Sequence, residues 1–307
     1  MDELFLCISF IGKLPEYTIE CVHQIRLFFN GDIYLILNDF ESTYLGEIKK
    51  FNVKLINYYD VYPKLFNNIV DKNKHKFAYL DNLTGREELF TKSLERFFLL
   101  YNLMLKNNLE NCLFLEIDNL IYDNPNNWLE EFKKHELCYM YDNENRFSSG
   151  IMYIKNAYSL VGFMNYVLNF INTTKTNFIN EMYCLSQYYE ASKATYHVHI
   201  LPTHWPEEEV PNVATDNFDK YKNTLFDSAG MGIYLTGINT FHTNGELILF
   251  SKFESCKIDY TNNKFEWFLD EKNRKIPHIW NGESWLKINN LHIHSKLLKN
   301  ALSIEMK

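Results

Sequence analysis

Apolar and polar positions along this chain follow two rhythms, one of strands and one of helices. Leu4 to Ile11 is a compact apolar run of the kind that forms a buried strand. From Tyr17 to Phe29 the apolar residues Ile19, Val22, Ile25, Phe28 and Phe29 recur at helical spacing. An Asn30-Gly31 turn leads into a β-rich run, Asp32 to Leu37, which ends in Asn38-Asp39, and Phe51 to Ile56 is a third strand candidate. The resulting β-α-β-α-β order predicts a mostly parallel, nucleotide-binding kind of sheet.

Asp60 to Thr84 has weaker periodicity and is expected to be irregular or short helical. Glu87 to Leu105 is expected to be a helix on the repeat of Leu94, Phe97, Phe98, Tyr101 and Leu105. Cys112 to Ile117 then fits a buried central strand, bounded by Asn107-Asn108 and Asp118-Asn119. A helix is predicted at Trp128 to Lys134, strands at Leu137 to Tyr141 and Gly150 to Ile154, and helices at Ser159 to Ile171 and Glu181 to Tyr188. After His197 the texture changes to short strands (Tyr196 to Leu201, Glu246 to Phe250, Cys256 to Tyr260, Lys264 to Trp267, Trp285 to Ile288) separated by turns such as Asn281-Gly282. No linker or repeat divides the chain, so one continuous domain over 1–307 is the simplest expectation.

Composition narrows the classes of function. With 307 residues the chain has ample core, and its 46% hydrophobic and 23% charged residues are those of a globular protein. A formal charge of −8, without a basic run, argues against nucleic acid as a partner. Its six cysteines are scattered and lack CxxC spacing, as expected of small core residues in a reducing compartment. The acidic start MDELFLCISFIG has no basic n-region, and the longest uncharged stretch, broken by asparagines, is too short to span a bilayer. A cytoplasmic protein without a membrane span is expected.

The sharpest chemical signal is Glu116-x-Asp118 at the end of an apolar strand. Carboxylates spaced by one residue share a side of an extended backbone. At the carboxyl end of a strand in an open α/β sheet they point into the ligand crevice. A hard cation such as Mn²⁺ or Mg²⁺ takes one or two such oxygens and completes its shell with substrate phosphates. Taken alone, the pair is a weak signal, because the polar end of a strand is common.

The run LFLEIDNLIYDNP resembles the DxD segment of GT-A glycosyltransferases, with Glu116 in the first acidic position and Asp118 in the second. Glu replaces Asp at the first position, so the metal role falls chiefly on Asp118. Three further blocks are similar to the same enzymes and occur in order. Arg96 lies on the helix whose arginine reaches the donor in several such families, and Arg146-Phe147-Ser148-Ser149-Gly150-Ile151 resembles the segment along the donor sugar. Leu291-His292-Ile293-His294-Ser295-Lys296 resembles the C-terminal His block, where a histidine completes the metal shell and a lysine meets the diphosphate. His294 is favoured over His292 because it is nearer the Ser-Lys pair. The segment from Phe226 to Gly237 is similar to an FDxxxxGxYLxG pattern of a poorly characterised group of bacterial and large-virus glycosyltransferases, with Ile233 where that pattern often has Gln.

The resemblance implies a GT-A α/β fold, a Rossmann-like mixed sheet flanked by helices with a β-hairpin-rich C-terminal half. It implies a nucleotide-sugar half over 1–155 and an acceptor half over 156–307. The implied metal ligands are Asp118, Glu116 and His294 or His292 around Mn²⁺ or Mg²⁺. Donor contacts fall to Arg96, Glu116, Ser148, Ser149, Gly150, Ser295 and Lys296. By its place at the end of the second strand, Asn38-Asp39 is either a base or ribose contact or a simple turn. Glu181 or Asp227 would orient or deprotonate the acceptor; helix-dipole complementation and a turn cap are their structural alternatives. His197 and His199 read as structural, and Trp205 as an anchoring residue rather than a sugar platform. The expected partners are a nucleoside-diphosphate sugar, UDP-linked first, and a glycan or small hydroxyl acceptor. A catalytically silent carbohydrate- or nucleotide-binding protein, a sugar nucleotidyltransferase and a metal-dependent phosphoesterase are the rivals. The nucleotidyltransferase lacks support because Ile11-Gly12-Lys13 is a thin substitute for a Gly-rich phosphate loop.

Overall fold

Strands buried on both faces organise the first half of the chain. In the computed structural model, which describes residues 3–81, 88–177, 179–193, 197–207, 209–237, 260 and 262–306, β1 (Phe5–Phe10), α1 (Thr18–Phe28), β2 (Ile33–Leu37), α2 (Leu45–Lys50) and β3 (Val53–Asn57) follow the expected β-α-β-α-β order. The strands pair in parallel, Ile8 opposite Leu35 and Leu35 opposite Leu55. Parallel strands covered by helices read as continuous apolar runs, which is why this part was visible in the hydropathy pattern.

The weakly periodic stretch holds two short helices, α3 (Lys64–Lys72) and α4 (Lys74–Asp81), before the long α5 (Leu89–Asn107). α5 buries Leu94, Phe97 and Phe98 as expected, but Leu105 is 47% exposed. The buried stripe passes through Leu99, Leu100, Leu103 and Met104 instead, so Leu105 falls on the solvent side. Asn108 ends the helix in the left-handed region (φ 50), a conformation asparagine tolerates better than most residues.

β4 (Glu110–Leu115) then enters beside β1, and β5 (Asn119–Ile121), α6 (Leu129–Phe132), β6 (Leu137–Asn143) and β7 (Arg146–Asn156) follow. β7 runs antiparallel to both β4 and β6. Ser148 and Ser149 are therefore inside a long strand and not in a turn leading to one; the turn is at Glu144-Asn145. α7 (Val161–Thr173), α8 (Glu181–Ser192) and β8 (Val198–Leu201) complete a seven-stranded mixed sheet of order β3-β2-β1-β4-β7-β6-β8.

The later part contains α9 (Gly230–Thr236), an antiparallel sheet of β9 (Phe265–Leu269), β10 (Lys275–Trp280) and β11 (Trp285–Lys287), and β12 (Asn290–His292). The expected strands Glu246 to Phe250 and Cys256 to Tyr260 fall, apart from Tyr260, outside the described residues. β10 escaped the hydropathy pattern because Pro277 interrupts it; its carbonyl accepts the Ile288 N–H at 2.9 Å. β12 pairs antiparallel with β5, and buried Gln24 of α1 bonds both the Ile121 carbonyl and Ser303 at 2.8 Å. These ties return the end of the chain to its beginning, and buried apolar residues from Leu4 to Leu302 form one cluster. The five described cysteines are buried and unpaired. Among the described residues no helix is long and apolar enough to cross a membrane.

Candidate active site

A cavity of about 500 Å³ opens at the carboxyl ends of β1 and β4, walled there by Ser9, Phe10, Glu116 and Asp118. That volume is in the range of small-molecule and cofactor sites. The backbone leaves the sheet after Leu115, and the Glu116 N–H is held by the Gly150 carbonyl at 3.0 Å. The short β5–β12 ladder then sets the register that matters chemically, because it places His292 opposite Asn119, next to Asp118. The Ile293 N–H donates to the Asp118 carbonyl at 2.8 Å and fixes that register from the other side.

His292 Nε2 is 3.2 Å from Glu116 Oε2 and 3.5 Å from Asp118 Oδ2. Its Nδ1 is 3.0 Å from the Ser228 carbonyl, which can only accept, so Nδ1 carries the proton and Nε2 is the ring atom turned to the carboxylates. Glu116, Asp118 and His292 each offer a ligand atom within 4.8 Å of the others. Two carboxylates, one imidazole and a backbone carbonyl orienting that imidazole are a set able to hold a divalent ion. The geometry thus groups His292 with the acidic pair, where the sequence favoured His294. The His294 ring lies beside it, centroids 4.5 Å apart and planes tilted by 44°, and still reaches the cavity wall.

Two glycines make this convergence possible. A Cβ on Gly150 would lie 2.7 Å from Asn119 Nδ2 and 3.1 Å from His292 Nδ1. One on Gly232 would lie 2.1 Å from the His292 carbonyl oxygen, so α9 approaches β12 only because that position has no side chain.

Cations surround the carboxylates. The Arg96 guanidinium is 2.6 Å from Glu116 Oε1, 3.4 Å from Glu181 Oε1 and 3.0 Å from Ser149 Oγ, and lies 5.2 Å from the Phe114 ring centroid. The Lys296 ammonium pairs with Asp118 Oδ2, from a backbone in the left-handed region (φ 61) that is uncommon for lysine. Burial raises the Glu116 carboxyl, but Arg96 and His292 outweigh it and hold it at about 2. Asp118 is likewise raised by burial and brought well below the usual range by Lys296 and His292. His292 is lowered by burial yet raised overall by Asp118 and Glu116, whereas burial, His292 and Lys296 push His294 well down. Glu181, at the first turn of α8, is pushed up by burial despite Arg96.

Other expected contacts have different places. Asn38 accepts the Gly12 N–H and Asp39 the Leu14 N–H, each at 2.9 Å, so they brace the loop after β1 and do not wall the cavity. Asp227 is buried, and its carboxylate accepts the N–H groups of Met231, Gly232 and His292 at 2.9, 2.7 and 3.0 Å. It caps α9 and holds His292 from behind the cavity. Ser148 accepts the Gly150 N–H at 3.1 Å and lines the cavity, whereas Ser295 bonds the Leu297 N–H and does not. Trp205 is buried and stacked on His204 at 3.7 Å, an anchoring residue as expected.

Sequence reasoning missed Tyr17, Asp142 and Met182, which also wall the cavity, and Asn290. Asp142 faces Arg146 at 3.4 Å across the β6–β7 turn; its signal was a carboxylate at the end of an apolar strand, the same signal that marked Asp118. Asn290 donates to Asn119 Oδ1 at 2.8 Å and to the Asp227 carbonyl at 2.9 Å, a link between distant segments with no local signature.

No family model matches the sequence, and no curated protein matches it. Among solved structures the chain is similar to mouse xyloside xylosyltransferase 1 in its apo form, with TM-score 0.46 and 10% identity over 65% of this chain and 85% of that one. It is similar to the PaToxG glycosyltransferase, with TM-score 0.39 and 12% identity over 61% and 69% of the two chains. It is also similar to the glycosyltransferase GlyE of Streptococcus pneumoniae TIGR4, with TM-score 0.39 and 11% identity over 65% and 45%.

Proposed function

We propose that this chain is a metal-dependent glycosyltransferase of the GT-A kind, taking a nucleoside-diphosphate sugar and passing the sugar to a hydroxyl of a glycan or small acceptor. The observation that carries the proposal is the convergence of Glu116, Asp118 and His292 with Arg96 and Lys296 on one cavity wall, from segments far apart in the chain. Mn²⁺ or Mg²⁺ held by Asp118, Glu116 and His292 would neutralise the diphosphate leaving group.

The chain's own residues do the rest. Arg96 and Lys296 are fixed cations for the donor's negative charge, stabilising charge that grows as the glycosidic bond breaks. Ser148, Ser149 and Gly150 line the sugar end. Glu181 takes the acceptor hydroxyl's proton as that oxygen bonds the anomeric carbon, while the diphosphate leaves with the electron pair of the broken bond. Asp227 acts as a positioning residue for His292. Asn38 and Asp39 act by shaping the loop over which the nucleotide would lie.

A panel of nucleotide sugars, tested for thermal stabilisation with and without Mn²⁺, checks this assignment. A ligand that binds only the folded state raises its stability by mass action, about 2.7 kcal/mol at a hundredfold excess over Kd. A UDP-sugar is expected to raise Tm strongly with Mn²⁺ and weakly without it. No stabilisation by any nucleotide sugar would contradict the donor assignment.

A further inference from the structure

A second group of donor atoms converges far from the cleft, at the β8 edge of the central sheet. Past Phe132 the chain keeps a helical turn, with the His135 N–H on the Phe132 carbonyl at 3.0 Å, so Glu131 and His135 face the same way four residues apart. His199 arrives from β8, which pairs in parallel with β6 and puts His199 beside Cys138. The His135 and His199 rings stack with centroids 3.8 Å apart and planes 16° apart. Glu131 Oε1 is 3.5 Å from His135 Nε2, and one ligand atom from each of the three residues lies within 4.8 Å of the others.

These histidines are not satisfied as core histidines usually are. Nε2 of His199 is buried without a hydrogen-bond partner among the described residues, and the buried Nε2 of His135 has only the distant Glu131 Oε1, at 3.5 Å. A buried polar nitrogen left unpaired costs stability, and such atoms call for a physical explanation. Lys134 and Lys220 face the pair, but each ammonium has an oxygen partner, Glu131 Oε2 and Asn217 Oδ1. A cavity of about 360 Å³ borders both rings and is walled further by Tyr189 and Asp216. It shares no wall residue with the cleft.

We propose that Glu131, His135 and His199 form a second metal site that takes a borderline divalent ion, Zn²⁺ in preference to Mn²⁺ or Mg²⁺. Two imidazoles and one carboxylate are a nitrogen-rich set that suits zinc, with the fourth position open to the adjoining cavity. The cluster in the cleft is oxygen-rich and suits the harder ions, so the two sites select different metals. Zinc here joins the end of α6 to strand β8 and supplies a partner for both buried nitrogens.

The test uses the full chain carrying Asp118→Asn, which disables the oxygen-rich cluster, stripped of metal and dialysed against Zn²⁺. We expect one zinc retained per chain, a rise in Tm on adding Zn²⁺, and a visible tetrahedral-type absorption when Co²⁺ replaces it. Adding His199→Gln should abolish all three signals. Adding Glu131→Gln, which keeps the ring stack, should weaken zinc binding by more than about 10–100-fold, the scale seen when only the groups supporting a metal's ligands are lost. Absence of retained zinc in the Asp118→Asn chain overturns the proposal. So does an unchanged zinc content and affinity after Glu131→Gln in a chain that circular dichroism shows to be folded.

Discussion

Arg96 and Glu116 meet at 2.6 Å, joining the long helix α5 to the carboxylate that follows strand β4. Both side chains are largely buried, so each charge relies on nearby partners for compensation, the other first, then Glu181 for Arg96 and His292 for Glu116. Arg96→Met is expected to lower unfolding free energy by up to about 3–5 kcal/mol, because it leaves the buried Glu116 charge with His292 as its remaining partner. In the molecules that remain folded, donor turnover should fall about 10²–10³-fold, the scale of losing one preorganised charge donor. Denaturant melts and initial rates on the same preparation separate the two effects.

Glu181 and Asp227, alike as candidates in the sequence, are expected to behave differently. Glu181→Gln should lower kcat by about 10²–10⁴-fold and remove the rising limb of the pH profile, which lies above the ordinary glutamate value because burial raises this carboxyl. Asp227→Asn should keep that limb and instead cost about 1–3 kcal/mol of stability, since the amide loses acceptor capacity for buried N–H groups.

Gly232→Ala drives a methyl into the His292 carbonyl, whereas Gly46→Ala in α2 meets nothing within 4 Å. The first is expected to cost about 1–3 kcal/mol and to weaken Mn²⁺ binding, because His292 must shift. The second should stabilise by about 0.5–1 kcal/mol through helix propensity. Paired melts and Mn²⁺ titrations of the two variants check the contrast.

How much of this was legible in the sequence depended on distance along the chain. Phe5–Phe10, Ile33–Leu37 and Glu110–Leu115 were visible because strands buried on both faces leave uninterrupted apolar runs. Glu116 and Asp118 were visible because their spacing is itself the chemistry. Which of His292 and His294 lies against the acidic pair was not, since that follows from the β5–β12 register and the Ser228 carbonyl, neither of which has a local pattern. Asp227 misled for a related reason: a buried carboxylate capping α9 has the same local sequence as one facing a substrate.

Acid should destabilise the fold in a window set by buried histidines. Burial, with His135 and the nearby lysines, lowers His199 from 6.5 to about 3. The folded chain therefore holds it neutral while the unfolded chain takes up a proton below about 6.5. Its contribution is fully present above that value and is lost as pH falls from there toward about 3, by up to about 1.4 kcal/mol per pH unit. Urea midpoints measured in chelator between neutral and mildly acidic pH should fall accordingly, and His199→Gln should flatten the slope.

The central claim is that Asp118 and a divalent ion together turn over a nucleotide sugar. Its most direct test is the release of nucleoside diphosphate from the donor that best stabilises the chain, measured with an acceptor mixture in Mn²⁺. The same assay is run in EDTA and with Asp118→Ala. Release that is robust with Mn²⁺, lost in EDTA, restored by excess Mn²⁺ and absent in Asp118→Ala is the predicted result. Full release in EDTA or from Asp118→Ala would contradict it.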